Sequence, residues 1–147
     1  MGLTGTIDAS VYTGLRDVLS RHPKITTVGF EPDSISKEYI RASIAPDRVE
    51  PPTGSEPPLL EVEWRFRRET ESYRIHYADP NTGFNCGWHR DKDHPDPGSI
   101  HFQYEHRSTR ESDQIRAEFT KSVPTEILWT AFHRLFETKI PAYTSTR

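Results

Sequence analysis

The stretch from Ser72 to Arg107 constrains the fold more than any other part of the chain. It contains five of the seven histidines, in three extended runs that two turn signals separate. In each run apolar and polar residues alternate, which is the signature of half-buried strands. Because successive side chains of a strand point to opposite faces, the three runs predict an antiparallel sheet with one apolar and one polar face.

The predicted polar face has a composition that favours acid–base chemistry. An ordinary solvated sheet face carries mainly Lys, Thr and Glu, whereas this one combines imidazoles with a carboxylate and an arginine. Imidazole is the side chain that gains and loses a proton most readily near neutral pH, so several of them on one face indicate a catalytic surface. The residues are Arg74, His76, His89, His101 and Glu105.

Patterns outside this stretch predict helices on the apolar face of the sheet. Apolar residues at helical spacing follow Asp8, a plausible N-cap, and a wider apolar face follows Pro124, which suits a first helical turn. Because both stripes are apolar on one side only, we expect the N-terminal and C-terminal helices to pack together on the apolar face.

Two further segments extend the predicted sheet. Residues 24–45 alternate as a hairpin, and residues 59–68 form the clearest strand. A proline-rich loop over about residues 46–58 connects them, and residues 109–120 are charged without a clear period. The prediction is one α+β domain over residues 1–147 with a mostly antiparallel sheet of five or six strands.

The largest apolar side chains are expected to fill one core, since apolar burial is the main driving force of folding. Trp64 and Trp88 must then lie on the same face of the sheet, because a register error of one residue would separate them. The predicted core residues are Trp64, Phe66, Tyr73, Ile75, Phe84, Trp88, Phe102, Trp129, Phe132 and Phe136.

Composition excludes several classes of protein. The net charge of −3 gives no global basic field of the kind expected for a general nucleic-acid binder, so any RNA contact would be local. Cys86 is the only cysteine, which excludes an internal disulfide and a cysteine-based zinc site. No signal-peptide pattern and no run of 18 apolar residues occurs, so we expect a cytoplasmic protein without a membrane segment.

The histidine-rich stretch resembles the TumE-like toxins. The resemblance rests on YRIHY, a Pro/Asn/Gly turn, GWHRDKDHPDPG and IHFQYEH, ahead of an amphipathic helix, and it covers about residues 59–138. It implies a small toxic protein whose partner is an antitoxin of the helix-turn-helix type, but it brings no catalytic residue set with it. The matching positions are Tyr73, Arg74, His76, Tyr77, Trp88, His89, Asp91, His94, Pro95, His101 and His106.

A metal-independent endoribonuclease is the first hypothesis for the polar face. Cleavage of RNA by its own 2′-hydroxyl needs a base, an acid and a cation beside the phosphorane, but no cofactor. We expect His76, His89, His101 and Glu105 to supply the acid–base groups. The expected substrate-binding residues are Arg65, Arg67, Arg74, Arg107, Asp91 and His94.

Three other interpretations of the same residues stay open. A metal site could use His89, Asp91, Asp93, His94 and His101, although their spacing fits no standard zinc motif. A binding module could hold a partner without any catalysis. The face could also be a solvated surface with cross-strand ion pairs, such as Glu63 with Arg74.

Overall fold

The fold is a seven-stranded antiparallel sheet in which every strand pairs with its neighbour in the sequence. The computed structural model describes residues 3, 5–68, 70–90 and 100–144. The α+β class is as predicted, but the predicted strand count of five or six was wrong. The elements are α1 (Ala9–Ser20), β1 (Ile25–Glu31), β2 (Tyr39–Ile44), β3 (Leu59–Phe66), β4 (Glu71–Ala78), β5 (Phe84–Arg90), β6 (Ile100–His106), β7 (Glu111–Ala117), α2 (Pro124–Arg134), a π-helix (Leu135–Lys139) and α3 (Ile140–Thr144).

Local sequence signals begin and end the helices. The Asp8 carboxylate accepts hydrogen bonds from the backbone N–H groups of Ser10 and Val11 and so caps the first turn of α1. Pro124 occupies the first position of α2, where its missing N–H costs nothing. The C-terminal helix was predicted to stop at Pro141, but the π-helix and α3 continue the helical segment through this proline to Thr144.

The apolar residues of both helices and of one sheet face form a single core. Trp64 and Trp88 are both buried in it, so the predicted register is correct. Phe66 and Phe136 are only partly buried. Trp129 is 43% exposed and was wrongly predicted, because it lies off the stripe of α2 that faces the sheet. The other predicted core residues, Tyr73, Ile75, Phe84, Phe102 and Phe132, are buried.

Strand β7 was missed because its hydrophobic alternation is limited to Ile115 and Ala117. All of its residues are exposed except Ala117, which is half-buried. It is an edge strand that pairs only with β6. The described helices leave its residues largely exposed, so it does not need an apolar face. Its charged residues are therefore tolerated on both faces, and periodicity could not reveal it.

The proline-rich loop between β2 and β3 is tied to the sheet by hydrogen bonds. The Asn81 side chain, in the β4–β5 turn, accepts from the backbone N–H of Glu56 and donates to its carbonyl oxygen. A short helix over Pro46–Arg48 begins the loop, and Val49 is buried in the core. Among the described residues, no helix is long and apolar enough to cross a membrane.

The hydroxyl of Tyr12 joins α1 to the sheet. It donates to the carbonyl oxygen of Glu38 at 2.8 Å and accepts from the backbone N–H of Trp64 at 3.1 Å. The pairs of β2 and β3 run from Ser43 with Leu59 to Ile40 with Val62, so the hydroxyl bridges the two strands just beyond their last pair. The helix is thereby fixed over a defined position of β3.

We predict that Tyr12→Phe lowers the free energy of unfolding by about 1–3 kcal/mol, because it leaves the buried backbone N–H of Trp64 without its partner. Urea denaturation measures the change. Tyr39→Phe is the matched control, since the Tyr39 hydroxyl is half-exposed and accepts only a long bond of 3.4 Å from Arg41. Equal stability of the two variants would contradict the bridging role of Tyr12.

Candidate functional site

The register of the strands aligns ionisable side chains in rows across the polar face. Cross-strand pairs of an antiparallel sheet place their side chains next to each other on one face. The pairs Glu63 with Arg74, Arg74 with His89, His89 with His101, and His101 with Arg116 follow one another. One row therefore crosses five strands, from β3 to β7, and has two imidazoles at its centre between two arginines.

The two central imidazoles lie side by side. The ring centroids of His89 and His101 are 5.7 Å apart with 26° between the planes. Both rings are half-buried. The amide nitrogen of Gln114 lies 3.2 Å from Nε2 of His89. In this orientation the amide nitrogen donates to an unprotonated Nε2, which corresponds to the tautomer of His89 with its proton on Nδ1.

His76 lies one row away on the same face. It pairs with Glu61 on one side and with Gly87 on the other. Burial, and to a smaller extent the charge of Arg74, lowers the pKa of His76 from 6.5 to about 4, with Glu61 acting in the opposite direction. The ring is therefore neutral at physiological pH, with one nitrogen that donates a hydrogen bond and one that accepts, and it cannot serve as a general acid there.

Gly87 opens a pocket between these histidines. A Cβ at this position would overlap the carbonyl oxygen of Ile75 on β4, so no side chain fits there. The bare backbone forms part of a pocket of about 220 Å³ that Arg74, His76 and His89 also line. Leu3 lines it as well and donates its backbone N–H to Glu63 at 3.2 Å, so the N-terminal segment reaches this face.

The arginines predicted to bind substrate have different environments. Arg65 is engaged by Glu63 at 2.9 Å, and both side chains are largely buried. Arg74 is 41% exposed and its nearest described carboxylate is that of Glu61, at 3.9 Å. The ion pair suggested for a solvated face, Glu63 with Arg74, is thus replaced by these two contacts. Arg74 is the predicted arginine that stands beside the histidines.

The remaining predicted residues are spread over a wider area. Glu105 is four residues from His101 on β6, which separates their Cα atoms by about 13 Å. Arg107 follows β6 at the same end, and Arg67 follows β3; both are exposed. The structure thus brings His76, His89, His101 and Arg74 together. Glu105 and Arg107 lie away from the His89 and His101 pair but line a pocket with His76, and Arg67 lies apart from all of them.

Asp91 and His94, predicted to bind substrate, and Asp93 of the metal hypothesis lie outside the described residues. Within the described residues, no group of three or more His, Cys, Asp or Glu side chains is arranged to hold a metal ion. The metal hypothesis therefore has to be tested by chelation.

Sequence reasoning missed three residues of this face. Gln103 lies on β6 between His101 and Glu105 and lines the pocket at Gly87. Gln114 and Arg116 lie on β7, next to the histidine pair. The alternation of Gln114 with Arg116 was the available signal, but it has meaning only once residues 109–120 are known to form a strand.

Comparison with known proteins identifies the family. A family model described as Toxin TumE matches residues 15–138, a segment that contains all seven strands and α2. The resemblance that the histidine-rich stretch predicted is thereby confirmed. No curated protein and no solved structure gives a match.

We predict that His76 titrates with a midpoint near 4 in histidine NMR spectra, because burial disfavours its charged form. Between pH 6.5, where it titrates when unfolded, and pH 4, the unfolded state binds the extra proton, so stability falls as pH falls. His76→Gln should remove this part of the pH dependence of the urea midpoint. A midpoint above 6 for His76 would contradict the burial.

Proposed function

The chain belongs to the TumE toxin family, and on that premise we propose that it is the toxin of a toxin–antitoxin pair and acts as a metal-independent endoribonuclease. The observation that carries the proposal is the pairing of His89 with His101, flanked in register by Arg74 and Arg116 on the sheet face opposite the described helices.

Two adjacent imidazoles supply both proton transfers of RNA cleavage. One neutral ring takes the proton of the 2′-hydroxyl, and the 2′-oxygen attacks phosphorus. The bond from phosphorus to the 5′-oxygen breaks, and the other, protonated ring donates its proton to that oxygen. The products are a 2′,3′-cyclic phosphate and a 5′-hydroxyl, so protons and electrons balance without a metal ion.

We assign the two roles from the contact between Gln114 and His89. It favours neutral His89, which makes His89 the base and leaves His101 as the acid. The mechanism requires that one of these two adjacent imidazoles is neutral while the other is protonated. That singly protonated state is the active one.

Arg74 stabilises the charge that develops on the phosphorane. Its guanidinium stands next to His89 in the row and is exposed, and a planar fork of donors suits phosphate oxygens. Arg116 occupies the equivalent position beside His101. His76, which is neutral at physiological pH, lines the pocket at Gly87 and accepts a hydrogen bond from a ribose hydroxyl there.

Membership of a toxin family implies a cognate antitoxin. We propose that this antitoxin is of the helix-turn-helix type and that the toxin acts on RNA in the cytoplasm. The protein has no net positive charge, so RNA binding depends on the local arginines of the polar face. Such binding weakens with added salt, since phosphate contacts release counterions.

We predict that His89→Ala or His101→Ala lowers RNA cleavage about a hundredfold or more, the usual worth of a general acid or base. Cleavage of a labelled oligoribonucleotide measures the loss. His133→Ala is the matched control, since His133 is exposed on α2 and bonds only Glu137 among the contacts that are described. Full activity in both site variants would rule out the pair as the catalytic groups.

We predict that cleavage survives a chelator and follows a bell-shaped pH profile, because one ring must be neutral while the other is protonated. Loss of activity with chelator, restored by a divalent metal ion, would favour the metal hypothesis instead. A pure binding module would cut no RNA, and the same mutations would lower only the amount of bound partner.

A further inference from the structure

A second pocket adjoins the histidines on the polar face, at the end of the sheet near the β4–β5 turn. Its volume is about 440 Å³, within the range of roughly 300–1,000 Å³ that small-molecule sites have. His76 lines both this pocket and the one at Gly87, so the two are neighbours. The lining of this second pocket includes Leu59, Ala78, Asn85, Glu105 and Arg107.

Part of the pocket is apolar although it lies on the polar face. Leu59 and Ala78 are directly paired across β3 and β4, at positions that alternate with core residues. Both are half-buried, and Ala78 is too short to fill the space above it. A small apolar floor with polar groups at its edge is the composition that accepts a flat heteroaromatic ring.

Two acceptors stand beside this floor in a fixed arrangement. Asn85 pairs with Ala78 on one side and with Glu105 on the other. The amide nitrogen of Asn85 donates to the Glu105 carboxylate at 3.2 Å. Since a carboxylate only accepts, this bond fixes the orientation of the amide and leaves its oxygen, together with the second carboxylate oxygen, as acceptors.

Arg107 supplies donors at the same site. Its side chain packs against Gly83, where a Cβ would approach the Cβ of Arg107 to 3.1 Å. Gly83 has a φ of +79°, a left-handed conformation that favours glycine. The exposed guanidinium of Arg107 therefore completes an edge that presents a donor beside two acceptors.

We propose that this second pocket is a nucleobase subsite that selects guanine in a single-stranded RNA. The Watson–Crick edge of guanine presents an acceptor, O6, followed by two donors, N1–H and the N2 amino group. Arg107 matches O6, and the acceptors of Glu105 and Asn85 match the two donors. Adenine, cytosine and uracil each present at most one donor on that edge, so none of them satisfies both acceptors.

The position of the subsite fits a nucleotide next to the scissile phosphate. On β5, Asn85 is four residues from His89, or about 13 Å, and the row of His76 lies halfway between them. The pocket is thus separate from the catalytic pair but continuous with it through His76. The inference rests on the proposed ribonuclease function, and it gives Glu105 a role in recognition rather than in proton transfer.

Binding of RNA that cannot be cut tests the subsite independently of catalysis. The probes are fluorescent 2′-O-methyl oligouridines with one central G, A, C or U, and anisotropy gives the Kd values for the full chain. We expect the G probe to bind about tenfold to a hundredfold more tightly, the usual discrimination by a well-placed polar pair. Glu105→Gln and, separately, Asn85→Ala should abolish this preference.

The control variant Glu126→Gln makes the same change of charge on the exposed side of α2 and should keep the preference for G. Equal Kd values for the four probes, or a G preference that survives in both pocket variants, would overturn the subsite.

A parallel cleavage assay on unmodified RNA separates the two proposals. RNA cutting without a base preference would overturn the subsite and support the ribonuclease. Selective binding of G without cutting would support the subsite and overturn the ribonuclease.

Discussion

The burial of one face of the sheet, and only one, is the constraint on which the rest of the structure depends. Helices α1 and α2 pack against a face that carries Trp64, Trp88 and Phe102, and apolar burial fixes which residues point inward. Every strand is antiparallel to its neighbour, so the alternate positions of β3 to β7 all align on the opposite face. A slip of one residue would bury the imidazoles and expose the tryptophans, and is therefore strongly disfavoured.

Periodicity predicted the parts of the fold that lie over the core and failed where nothing is buried. The alternation from Leu59 to Glu105 revealed β3 to β6 and the shared face of His76, His89 and His101. Strand β7 is exposed except at Ala117, and the alternation of Ile115 and Ala117 with polar residues was too short to predict a strand. The neighbours within the polar face depend on the register, which the hairpin turns and the core set together. Periodicity alone could therefore not separate Glu105 from the histidines or add Gln114 to them.

The charges of the polar face form local ion pairs rather than a net positive surface. Glu63 forms an ion pair with Arg65, and Glu61 forms one with Arg41, so these charges on β2 and β3 neutralise each other. Arg74 is more weakly paired and stands beside His89. Gly87 lies between His76 and His89 on the polar face and has no side chain that would separate them. The backbones of β4 and β5 approach too closely at this position for a Cβ. Together these features leave a pocket lined by the partly exposed Arg74 and by two histidines in a protein of negative net charge.

The histidines provide the most direct test of RNA binding at the polar face, because they lie on both sides of the sheet. His76, His89 and His101 lie on the polar face, whereas His22 contacts the Phe132 ring of α2 and lies with His133 on the helical side. Imidazole NMR spectra would be recorded while a 2′-O-methyl oligoribonucleotide is added. The account predicts saturable shifts for the three rings of the polar face and none for the other two. Shifts at the helical side, with the polar face unchanged, would contradict it.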